Sequence, residues 1–70
     1  MSKSFTMYQL MDRAENKPFG SGEIKAYDEA IYQTRAALGM DESATYDEIV
    51  DESTAKNILY DERGNIITDV

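Results

Sequence analysis

In the run 24-IKAYDEAIYQTRAALG-39, Ile24, Tyr27, Ile31, Thr34 and Leu38 recur at spacings of 3, 4, 3 and 4, and glycine follows at 39. That rhythm lays one stripe along a helix of about four turns. Ser21 is placed to cap its start, although Asp28 could begin a shorter version and residues 24–26 could instead form a short strand. Gly39 suits the left-handed position that ends a helix, and Met40 falls where a hydrophobic contact often follows such an end. An amphipathic helix gains most of its stability from covering its apolar stripe. The rest of the chain must therefore supply the cover.

It has to do so without staples. The 70 residues include no cysteine and no histidine, so neither a disulfide nor a thiolate or imidazole metal site can support the fold. A hydrophobic content of 41% suffices for one small core, and residues 1–70 read as a single domain. The segment 6-TMYQLMDRAEN-16 offers a first helix, with Met7, Leu10, Met11 and Ala14 on one face. Thr6 and Gln9 stand in capping-box positions. A strand over residues 5–11 is the competing reading, but Met, Gln and Leu favour helix. Next, 17-KPFGSG-22 is a loop whose Phe19 is expected to fold back onto the core.

After the linker 41-DESA-44, Thr45 and Glu48 repeat the capping-box pattern and predict a short third helix ending between Glu52 and Ala55. Finally, Ile58-Leu59-Tyr60 and Ile66-Ile67-Thr68 are β-prone runs separated by turn residues 61–65, which predicts a β-hairpin. The expected fold class is thus α+β, with two or three short helices packed against a C-terminal hairpin. The expected core comprises Met7, Leu10, Met11, Ile24, Tyr27, Ile31, Leu38, Ile49, Ile58 and Ile66.

Lack of histidine and cysteine also removes the commonest general base and the thiol nucleophile, so a non-enzymatic role is expected. No cofactor is implied. With no apolar run long enough for a signal peptide or a membrane span, a cytoplasmic location without membrane contact is expected. The Thr-x-Val pattern of residues 68–70 resembles peptides read by PDZ domains, a match of very few positions.

Charge is the remaining signal. The net charge is −7, and residues 27–70 set Arg35, Lys56 and Arg63 against eleven carboxylates. Direct nucleic-acid binding is disfavoured by this balance, and a basic protein surface is the favoured partner. The Asp-Glu pair occurs five times, at 28, 41, 47, 51 and 61, and 45-TYDEIVDEST-54 holds two of the pairs. On a helix Asp47 and Asp51 form one column and Glu48 and Glu52 another, each step climbing ~6 Å. Such like-charge pairs cost roughly 0.2–0.5 kcal/mol each. Asp47 and Glu48 recover some of this at the helix N-terminus; Asp51 and Glu52 lie too far along.

Solubility alone would account for a solvated acidic face. The sharper expectation is a docking surface in which Asp47, Glu48, Asp51 and Glu52 engage lysine or arginine. Asp41, Glu42, Asp61 and Glu62 would extend the field, and Tyr46 and Tyr60 would anchor it, although tyrosines at such positions are more often core-edge residues. A carboxylate metal site has no matching loop motif, since Arg63 stands where a ligand would be needed. In size, charge and lack of catalytic groups the chain is similar to small acidic accessory proteins of bacteriophages and mobile elements. That likeness implies binding and blocking of a host enzyme, in some cases at a nucleic-acid site, and carries no individual residue with it. The rival expectation is a structural or assembly module, or a homo-oligomer, whose acids serve only solubility.

Overall fold

A computed structural model describes residues 3–67 and contains three helices: α1, Met7–Ala14; α2, Gly22–Ala37; and α3, Tyr46–Ala55. Each start is capped by the hydroxyl residue the sequence offers. Thr6 and Gln9 close a reciprocal capping box, Ser21 accepts from the Ile24 N–H at 3.3 Å, and Thr45 and Glu48 form a second box. The ends of α2 and α3 share one device. Gly39 (φ 66°) follows α2 and Asn57 (φ 57°) follows α3, both left-handed. The next residues, Met40 and Ile58, donate back to the carbonyls of Arg35 and Ser53 at 3.0 and 3.1 Å. Both side chains are partly buried against the core, completing the hydrophobic contact of this type of helix end.

All three helices pack on one another. Met7, Leu10, Ile31 and Ile49 are buried as expected, whereas Met11, Ile24, Tyr27, Leu38, Ile58 and Ile66 are only partly so. Ala26, Ala30, Val50 and Tyr60 complete the core. On α2 the buried face is therefore rotated away from the 24-27-31-34-38 stripe towards Ala26 and Ala30. The reason is the chain returning over α2 after α3. Gly64 (φ 87°) lies so close that a Cβ there would stand 1.9 Å from the Ala26 carbonyl oxygen. Only glycine at 64 lets its backbone come this close to that of α2. Gln33 clamps the same return, donating to Glu29 and Asn65 at 2.7 and 2.8 Å and accepting from the Ile66 N–H at 2.9 Å.

The expected α+β class is overturned: among the described residues the fold is all-α, with no β-strand. What stands in place of the hairpin is one residue wide. Tyr60 makes antiparallel bridges to Phe5 on one side and Ile66 on the other, and it exchanges two 2.8 Å hydrogen bonds with Phe5. Both neighbours of the 58–60 run cut it short. The Ile58 N–H is already used to end α3, and Asp61 folds the turn at once by accepting from Arg63 N–H, Asn65 N–H and Asn65 Nδ2 at 2.8–3.2 Å.

Tyr60 is also not the surface anchor expected of it. It is 0% exposed, and its hydroxyl bonds to Thr34 and, at 2.7 Å, to Ser53, both themselves fully buried. Phe19 departs from expectation in the opposite sense, being 100% exposed at the tip of the α1–α2 connection. The Thr-x-Val pattern at 68–70 lies outside the described residues. Among those described, no helix is long and apolar enough to cross a membrane.

Candidate functional site

On α3, burial of Ile49, Val50 and Ser53 turns Asp47, Glu48, Asp51 and Glu52 outward. Their environments differ. Glu48 is occupied in the capping box, accepting from the Thr45 N–H at 3.1 Å. Glu52 stands 3.9 Å from Lys56, each side chain about half exposed, a pair worth little in water. Asp47 and Asp51 are exposed, and among the described residues no ion pair or side-chain hydrogen bond holds either of them. Only Glu48 thus has a structural task, and all four carboxylates are exposed to solvent.

The neighbouring helix face was not legible in the sequence. Tyr46, 49% exposed, meets Tyr27 edge-to-face with centroids 5.8 Å apart and directs its hydroxyl to Asp28 at 3.4 Å. Desolvation, followed by Tyr46, Asp47 and Asp28, raises the Tyr27 pKa. Tyr46 is raised in the same way, by desolvation and then by Asp28, against an opposing effect of Arg35. The Tyr46 hydroxyl is therefore a donor to the Asp28 carboxylate, whereas Tyr27 feels the neighbouring charges without a hydrogen bond to them among the described residues. Tyr32, 59% exposed, lies one turn beyond Asp28 on α2 with the Arg35 guanidinium 5.8 Å from its ring centroid. Asp28, Tyr32 and Arg35 share an i, i+4, i+7 face, so α2 and α3 together present aromatic rings among carboxylates, with Arg35 as the cation of the α2 part. The recurring Tyr-Asp-Glu at 27 and 46 was the available signal; only tertiary packing brings the two copies together.

The outlying acids serve other purposes. Asp41 is exposed, and the Ser43 N–H and hydroxyl, both at 2.9 Å, hold its carboxylate below the ordinary range while organising the 41–44 turn. At Asp61, desolvation pushes upward, but the Asn65 backbone and side chain and then Arg63 outweigh it, and the net shift is downward. Glu42 and Glu62 are exposed. Glu62 borders a cleft of about 360 Å³ that also holds Arg13, Glu23, Lys25 and Arg63, the basic end of the molecule. The five acidic pairs are therefore divided between α2, α3 and two turns, with Asp47 and Asp51 open on α3 and Glu42 and Glu62 open beyond it. Among the described residues, no group of three carboxylates converges as a metal site would require. No protein-family model, curated protein or solved structure matches the chain.

Proposed function

We propose that the protein is a non-enzymatic binding module that docks on a basic protein surface through the α2–α3 patch. Asp28, Asp47 and Asp51 supply charge, Tyr46 and Tyr32 supply apolar area, and Glu48 and Glu52 add to the field. In its sharper form the partner is a cytoplasmic nucleic-acid-handling protein, inhibited in the manner of the small acidic proteins of phages and mobile elements. One observation supports this reading most. Two half-exposed tyrosines sit among carboxylates whose charge no internal lysine or arginine fully offsets, and tyrosine is favoured where interfaces concentrate their binding energy. Asp41, Glu42, Asp61 and Glu62 are peripheral to it, contributing long-range attraction.

The test is capture from a host lysate at low and high salt. The wild type is compared with a Tyr46→Ala variant and a double variant, Asp47→Asn with Asp51→Asn, and a polyanionic oligonucleotide is added as competitor. Retention should fall steeply with salt, fall again in both variants, and be displaced by the oligonucleotide. A retained set indifferent to salt and to all three substitutions would remove the basis of the proposal.

A further inference from the structure

Three of the seven lysines and arginines converge outside the α2–α3 patch. Arg13 of α1, Lys25 of α2 and Arg63 of the turn 61–65 line the cleft of about 360 Å³ beside the first turn of α2, together with Glu23 and Glu62. Asp12, Glu15 and Lys17 are near in sequence but do not line it. The lining thus carries one net positive charge in a chain of net charge −7. Local contacts, and not the long-range field, must attract any anion to it.

Opposite charges gathered in so small a space could neutralise one another in pairs. Here they do not. Among the described residues the one ion pair joins Lys56 to Glu52, so none of the three cleft cations is paired. The fold holds them apart. The Arg13 guanidinium lies 4.5 Å from the Phe5 ring centroid, which occupies one face of the planar group and leaves its N–H edge free to donate. Arg63 sits in a turn tied by its own N–H to Asp61 at 2.8 Å, and Gly64 presses that turn against Ala26, which also lines the cleft. Asp61 feels the Arg63 charge without pairing to it. Glu23 has a structural task in the first turn of α2, at the positive end of the helix, whereas Glu62 is exposed and unpaired.

We infer that this cleft binds the phosphoryl group of a small, hydroxyl-bearing phosphomonoester of the sugar-phosphate type. Two guanidinium forks and one ammonium suit a tetrahedral dianion, each giving charge-assisted hydrogen bonds. Glu23 and Glu62 repel longer polyanions such as nucleic acid, and they accept hydrogen bonds from hydroxyl groups beyond the phosphate. The cleft is at the small end of ligand sites and admits a molecule of that size.

NMR titration of the whole chain at constant ionic strength, with ribose 5-phosphate, inorganic phosphate and ribose as probes, tests the inference. Ribose 5-phosphate should saturate with a dissociation constant on the order of millimolar, shifting Arg13 and residues 22–26 and 61–64, and ribose should not bind. Arg13→Gln, Lys25→Gln and Arg63→Gln, all at exposed positions, should each weaken binding roughly tenfold. Gly22 borders the cleft, and a Cβ added there meets nothing within 4 Å. Gly22→Glu should therefore strengthen the start of α2 while abolishing binding, which separates loss of the site from loss of the fold. Glu62→Gln should tighten inorganic phosphate and narrow the preference for ribose 5-phosphate over it. Asp47→Asn and Tyr46→Ala should leave binding unchanged, so the cleft and the α2–α3 docking role stand or fall separately. Absence of saturable shifts overturns the inference, as do shifts undiminished in Gly22→Glu. Inorganic phosphate held as tightly as ribose 5-phosphate would reveal an unselective anion site, and binding only to phosphatidic acid vesicles would assign the cleft to a lipid headgroup; either result also overturns it.

Discussion

Removing a single oxygen, by Tyr60→Phe, probes the centre of the fold. The Tyr60 hydroxyl joins Thr34 of α2 to Ser53 of α3, and all three residues are 0% exposed. Its loss leaves two buried hydroxyls each short of a partner, and an unsatisfied buried group costs about 1–3 kcal/mol. Both lie within helices and can turn towards the carbonyl four residues back, which recovers part of that cost. The expected net loss is therefore ~2–3 kcal/mol, a large share of the roughly 3–10 kcal/mol typical of a chain this long. At about 4–8 °C per kcal/mol, the melting temperature should fall by ~8–24 °C. Urea and thermal unfolding of Tyr60→Phe, and of a triple variant adding Thr34→Val and Ser53→Ala, measure this directly. The triple variant has no orphaned hydroxyl and should regain about 1–2 kcal/mol relative to the sum of the single changes. A Tyr60→Phe protein within ~0.5 kcal/mol of wild type, or strictly additive losses in the triple variant, would refute the claim that this network joins α2 to α3.

Gly64→Ala combines a left-handed backbone with a Cβ driven into the Ala26 carbonyl, and should cost ~2–5 kcal/mol by denaturant unfolding. Asp51→Asn with Glu52→Gln should leave the thermal midpoint unchanged or slightly raised, because relief of helix-column repulsion offsets the loss of the exposed Lys56 pair. The lowered pKa of Asp61 means that its contribution to stability is present above the ordinary aspartate value and is lost as pH falls through the lower folded value. An Asp61→Asn variant should therefore show a shallower acid limb in urea midpoints measured against pH. For Tyr27 and Tyr46 the sign is opposite. Their contribution is present below the ordinary tyrosine value and is lost as pH rises through the raised folded values. Ultraviolet titration should find both ionising late, with Asp28→Asn bringing Tyr46 down.

Local chemistry was readable along the chain because its causes are local. Thr6, Ser21 and Thr45 cap three helices through hydrogen bonds spanning three residues, and Gly39 ends α2 through a backbone angle that glycine adopts freely. The outward placement of the α3 acids follows equally from the apolar positions Ile49 and Val50. The β-prone run 58–60 misled for a physical reason. Strand propensity describes side chains that suit a pleated surface, but a ladder needs free backbone partners, and the end of α3 and the Asp61 turn take those first.

Tertiary packing alone decided the rest. Tyr60 looks like Tyr27 and Tyr46 in sequence, each preceding an Asp-Glu pair. It is buried because Phe5 and Ile66 bracket its backbone and two helix hydroxyls receive its oxygen. The other two tyrosines meet at the surface because α3 lies alongside α2. The sequence by itself determined which hydroxyl residues could cap helices, that Gly39 could end one, and that the acids are many. Which acids stand open beside aromatic rings, and which merely shape a turn, depends on contacts between residues far apart in the chain, and no local spacing records those.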